Sequence, residues 1–210
     1  ACRQGTIHKT IFSVSTCFQG LHTLIIKGVR SQPSDLRPLK RLENLRSLAL
    51  PNCSGFQNLD ELRDLQHLTK LDLSGCDQLL TYQFQQIGVL PHLQELVLVG
   101  CRSMDNACFT AIAGRGPHGR SHAQNEALFS QSRLLPHLRT LNLSDCLGLQ
   151  CEDNRLQGAI FDDDDDVPRL SLFESVTELS LTEGMLSRNK ALALFLLREA
   201  TQLSHLKLMH

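Results

Sequence analysis

The feature that most limits what this chain can fold into is a phrase, L-x-x-L-x-L-x-x-C, that returns along its length. It reads Leu45, Leu48, Leu50, Cys53; then Leu68, Leu71, Leu73, Cys76; then Leu93, Leu96, Leu98, Cys101; then Leu138, Leu141, Leu143, Cys146. Weaker copies flank these: Leu21, Leu24, Ile26 before, Val176, Leu179, Leu181 after (with Gly184 in the cysteine place), and Leu203, Leu206, Leu208 last. The starting residues 21, 45, 68, 93, 138, 176 and 203 are 24, 23, 25, 45, 38 and 27 positions apart. Such a period predicts a stack of like units. The last two leucines of each phrase are two residues apart, so they share one face of a short strand. A lone strand of this length cannot bury that face. Neighbours laid side by side pair their backbones and merge the leucine rows into one core.

The limbs between phrases carry helical spacing. After Cys101 come Met104, Cys108, Phe109, Ile112 and Ala113; after Cys76, Leu79, Leu80, Phe84, Ile87 and Leu90; after Cys53, Phe56, Leu59, Leu62 and Leu65 at intervals of three. Each unit therefore reads strand, turn, short helix, turn. The expected fold is an α/β leucine-rich-repeat solenoid, a curved horseshoe with parallel strands on the concave side and short helices on the convex side. Residues 1–210 form one such domain of about seven strand units, with insertions near 114–133 and 150–170 filling the two long gaps. Neither end carries the polar cap that a solenoid needs, so a segment of a longer chain, or ends covered by partners, is expected.

The stretch from Leu93 to Ala113, LQELVLVGCRSMDNACFTAIA, carries a closer resemblance. It resembles the cysteine-containing repeat of the F-box/LRR proteins, with Met104 where that pattern has Ile and Asp105-Asn106 where it has Thr-Asp. The resemblance runs from about Leu21 to Leu208. It implies a recognition surface, since in that family the repeats are the substrate-receptor arm of a ubiquitin ligase. An F-box module upstream of the repeats would go with that role. The same repeats occur in structural proteins of flagellar, cytoskeletal and mitochondrial assemblies, which makes a scaffold subunit of a multi-subunit complex the alternative.

The chain has eight cysteines, whose placement decides what they are for. Cys53, Cys76, Cys101 and Cys146 each sit eight residues after the first leucine of a phrase, where the chain turns out of its strand. A small, weakly polar side chain fits inside such a turn and can bond loop backbone. Zinc sites favour C-x(2–4)-C pairs, and the nearest approach here is Cys146 with Cys151, so no metal is assigned. Buried thiols fit a reducing compartment, which makes the cytoplasm the expected location.

Other motifs have plainer readings. Gly114, Gly116 and Gly119 spell G-x-G-x-x-G but follow a helix, where the dinucleotide motif follows a strand, so no cofactor is expected. Arg115, Arg120 and Arg133 in the same insertion could touch an acidic partner or RNA. Asp162 to Asp166 read as a solvated acidic loop lacking the alternation and glycine of a calcium loop. His67, His92 and His137 each precede the first leucine of a phrase, so they should line up along one edge; any polar residue suits that turn. No catalytic constellation stands in a supporting context, and no enzyme is expected. A net charge of −1 and 5% aromatic residues argue against a nucleic-acid binder. No apolar stretch reaches the length of a membrane span.

Function then falls to the strand residues that point away from the core. They form two rows: Thr23, Ser47, Lys70, Glu95, Thr140, Glu178, His205, and Ile25, Ala49, Asp72, Val97, Asn142, Ser180, Lys207. A protein partner on this concave face is expected, with Lys70, Asp72, Glu95, Val97, Thr140, Asn142, Glu178 and Ser180 as the contact residues.

Overall fold

In a computed structural model, the phrases become seven parallel strands. The structure describes residues 17–29, 36–56, 59–105, 108, 111–112, 135–150, 175–189 and 200–210. The strands are β1 (Thr23–Ile25), β2 (Ser47–Ala49), β3 (Lys70–Asp72), β4 (Glu95–Val97), β5 (Thr140–Asn142), β6 (Glu178–Thr182) and β7 (His205–Met209). They lie in chain order in one open sheet. Leu24, Leu48, Leu71, Leu96, Leu141, Leu179 and Leu206 stand in register across all seven. The register is uninterrupted across the 45-residue gap, where Leu96 faces Leu141 just as Leu71 faces Leu96. This is a leucine-rich-repeat solenoid.

The leucine rows form the core. Leu48, Leu71, Leu96 and Leu179 are fully buried, and the limb residues Phe56, Leu59, Leu62, Phe84 and Ile87 belong to the same cluster. The limbs thus pack on the leucine face and leave the other face of the sheet to the two polar rows. Leu206 and Leu208 of β7 carry the same rows outward but are each 47% exposed.

The limbs differ in helix type, and the spacing of their apolar residues explains why. Leu36, Leu39 and Leu42, then Leu59, Leu62 and Leu65, are buried at intervals of three. A 3-10 helix has three residues per turn, so this interval keeps one face inward. The limbs hold 3-10 helices at Arg37–Arg41 and Asp60–Asp64. After Cys76 the limb is the α-helix α1 (Thr81–Gly88), and after β6 it is α2 (Glu183–Arg188). Leu80 departs from the expected apolar series: it is 58% exposed. It is the extended residue just before α1, where its N–H donates to Gln83 Oε1 at 2.6 Å. A second departure follows β6. Gly184 does not turn the chain out of the strand as the cysteines do, but stands in the first turn of α2.

The cysteine turn has a repeated construction. The residue before it is left-handed each time: Asn52 (φ 57°), Gly75 (67°), Gly100 (69°) and Asp145 (60°), with Gly28 (70°) at the same place in the first phrase. Glycine, Asn and Asp are the residues that enter this region at least cost. The turn amides then bond the next unit's turn, Asn52 N to Ser74 O, Gly75 N to Val99 O and Gly100 N to Ser144 O. Each thiol donates in the opposite direction along the stack. Cys53 Sγ reaches Ile26 O at 3.3 Å, Cys76 Sγ Leu50 O at 3.2 Å, Cys101 Sγ Leu73 O at 3.2 Å and Cys146 Sγ Leu98 O at 3.0 Å. All four acceptors are the last apolar residue of the preceding phrase. The cysteines are therefore turn-filling hydrogen-bond donors, as their position in the phrase predicts. Burial pushes the thiols of Cys76, Cys101 and Cys146 up to about 12.

The segments 113–134 and 151–174 lie outside the described residues. With them go the readings made for Ala113, the glycine motif at Gly114, the arginines Arg115, Arg120 and Arg133, Cys151 and the Asp162 to Asp166 run; Phe109 lies outside as well.

Two outcomes follow for denaturant titrations. Gly100→Ala, whose added Cβ meets nothing within 4 Å, should cost about 1–2 kcal/mol through φ alone, and Gly100→Asn less. Gly148→Ala should cost more than either, because its Cβ would run into the Met104 carbonyl oxygen.

The thiols make a separate prediction. Their folded values lie above the ordinary 9.0, so the fold favours the neutral form. That stability is fully present below pH 9 and declines as pH rises through 9 to 12, by about 1.4 kcal/mol per pH unit for each thiol. Cys101→Ser should lower stability by about 1–3 kcal/mol at pH 8 and make the alkaline decline shallower. Urea titrations at pH 8 to 11 read both effects.

Candidate functional site

The two polar rows occupy the face of the sheet opposite the leucines, and the pairing register aligns them. Thr23, Ser47, Lys70, Glu95, Thr140, Glu178 and His205 face one another in turn across the seven strands. Ile25, Ala49, Asp72, Val97, Asn142, Ser180 and Lys207 do the same two residues on. At ~4.8 Å between strands the face is about 29 Å across.

The eight residues expected to contact a partner are all brought onto this face, but they stand in different conditions. Lys70 and Glu95 are tied to each other across β3 and β4, Nζ to Oε1 at 2.7 Å. Glu178 is tied to Lys207 across β6 and β7, Oε2 to Nζ at 3.5 Å. Val97, Thr140 and Asn142 are half-buried. Ser180 is only 8% exposed, so it offers little surface.

Asp72 has local work. Its Oδ1 accepts from Ser74 N at 2.9 Å and from Ser74 Oγ at 2.5 Å. Asn142 Oδ1 accepts from Ser144 N at 3.1 Å in the same way. These side chains brace the start of the cysteine turn. The reading of the two rows alone does not reveal that role. The signal for it lies in the phrases L-D-L-S-G-C and L-N-L-S-D-C, which repeat an Asp or Asn two residues before Ser.

The face changes character along the stack. Near β1 and β2 it is aliphatic and small, with Ile25 57% exposed beside Ala49. Over β3 and β4 it is charged. Over β5 it is neutral, with Thr140 and Asn142, and over β6 and β7 it is charged again, with Glu178 and Lys207 beside Ser180 and Thr182.

His67, His92 and His137 do line up, at a different edge. Their rings stack nearly parallel, with centroids 6.5 and 6.1 Å apart and planes tilted by 4° and 12°. Among the described residues no group of three or more His, Cys, Asp or Glu is placed to hold a metal. No helix of the described residues is long and apolar enough to cross a membrane.

The parallel strands in register define the class of this fold, a leucine-rich-repeat solenoid. Among solved structures the chain is similar to an internalin (inlF) from Listeria monocytogenes, at a TM-score of 0.38 and 14% sequence identity, covering 97% of this chain and 68% of that one. No protein-family model and no curated protein matches the chain.

The unequal roles on the face are separable by substitution. Asp72→Ala should lower stability by about 1–2 kcal/mol, because it leaves the Ser74 amide and hydroxyl without their acceptor. Glu95→Gln should change stability by less than about 1 kcal/mol, since the pair it breaks is exposed. Thermal melts of the two variants side by side check this ordering.

Proposed function

We propose that this chain is a non-enzymatic binding module that receives a polypeptide on the open face of its sheet. The observation that carries the reading is the pair of aligned polar rows, opposite the buried leucines and clear of the limbs that pack on them. A face about 29 Å wide, with small apolar patches and paired charges, has the size and mixed chemistry of a protein interface. The inner strands are paired on both sides, so little backbone ordering remains to be done at binding. Lys70, Glu95, Val97, Thr140, Asn142 and Glu178 are the contact residues of this reading. Asp72 contributes through the turn it holds, and Ser180 forms part of the floor.

The resemblance of Leu93 to Ala113 to F-box/LRR repeats supports a narrower role, the substrate-receptor arm of a cytoplasmic ubiquitin ligase. Reduced, buried thiols in the turns fit that location.

The test places a photo-crosslinking residue at Thr140 on the open face and, separately, at Lys40 on a limb, in the protein expressed in its own cells. Polypeptides should crosslink from position 140 and not from position 40. Crosslinks only from position 40 would overturn the module reading. For the ligase role, depletion of this protein should raise the abundance of the polypeptide captured at position 140. An unchanged abundance would remove the ligase role and leave the module in place.

A further inference from the structure

We infer that the edge where the chain enters its strands is a second contact surface, and that it receives an extended acidic segment of a polypeptide. The inference is independent of the open-face reading. The edge is built by the turns that run from a buried limb leucine to the first leucine of the next phrase. Backbone hydrogen bonds hold these turns against one another: Thr69 N donates to Arg46 O, Gln94 N to Thr69 O and Arg139 N to Gln94 O, each at 2.8 Å. Side chains beside this ladder are therefore kept at a set spacing.

His67, His92 and His137 stand in three successive turns, and all three are exposed. Their planes are tilted by only 4° and 12°, so the rings present their edges side by side. Paired strand backbones lie ~4.8 Å apart. The ring centroids are spaced more widely, at 6.5 and 6.1 Å. That wider spacing fits an extended chain, whose same-side residues recur every about 6.6 Å. Such a chain laid across the units brings every second side chain to one imidazole. A helix does not keep the match, because its row of every fourth residue drifts around the axis.

Charge selects the occupant. Arg46 and Arg139 are exposed, and neither has an ion pair among the described residues. They flank the ladder, Arg46 in the unit before His67 and Arg139 in the unit of His137. Among the described residues of these turns the one acid is Glu43, also in the unit before the ladder. A neutral imidazole has an N–H to give, and a carboxylate accepts it. The guanidiniums add permanent positive charge. A basic segment would be repelled by them, and an apolar one would strip their water without replacing it. Two permanent charges are few for a phosphate backbone, whose binding grows with the number of phosphates neutralised, so an acidic polypeptide is favoured over nucleic acid.

The test is the fluorescence polarisation of a labelled, alternating glutamate–serine peptide with the whole protein in low-salt buffer, beside a block peptide of the same composition. The alternating peptide should bind roughly tenfold more tightly than the block peptide. His67→Ala/His92→Ala/His137→Ala should remove that preference, and Arg46→Gln/Arg139→Gln should weaken both peptides. His92→Glu, a single exposed change that puts a carboxylate in mid-ladder, should also remove the preference and serves as the check if the triple variant folds poorly. Equal binding of the two peptides, or binding untouched by these variants, would overturn the inference. So would a labelled oligouridylate that binds more tightly than the alternating peptide and loses that binding in the same variants, which would give the edge to nucleic acid instead.

Discussion

Four of the seven strands, β2 to β5, are held at their exits by the strand before them. A left-handed residue swings the chain out, and the cysteine that follows gives its thiol proton to the last apolar residue of the preceding phrase. The turn amide meanwhile bonds forward to the next turn. The contact is short-range, yet the rest depends on it. It fixes where one strand ends relative to its neighbour, and a slip of one residue would exchange the leucine row for the polar row. Core and face are thus two results of one register.

Much of this was legible because the sequence repeats. The phrase L-x-x-L-x-L-x-x-C assigns strand, core side and open side to every unit, and the two polar rows read from it are those the strands display. Intervals of three at Leu59, Leu62 and Leu65 announce a helix; that they mean a 3-10 helix becomes clear only when the burial is seen. Leu80 misleads because its apolar character fits the series while its extended backbone stands outside the helix. Gly184 misleads because a matching position in the phrase did not bring a matching turn.

The candidate site was legible in position but not in commitment. A repeat pattern says which way a side chain points, not what it is already bonded to. Asp72 spends its oxygen on Ser74, Lys70 and Glu95 neutralise each other, and Ser180 is nearly covered. These are properties of neighbours in the stack, some of them 25 residues or more away in sequence, and a single phrase does not contain them. What remains accessible is narrower and more particular than the rows suggest. It is an aliphatic start, a charged middle, a neutral strip at β5 and a second ion pair at the end.

The uninterrupted pairing of β4 with β5 has a consequence for how such a chain can change over generations. The strand phrase is counted residue by residue, since every neighbour depends on its length. The return limb is not counted in this way: the step from Leu93 to Leu138 is 45 residues where its predecessor is 25, and the leucines still meet. New material can therefore enter the molecule between a cysteine turn and the next phrase without a compensating change elsewhere. Fixed length and variable length are assigned to different stretches of the same repeat, and a foreign domain spliced into a limb should leave the sheet able to assemble.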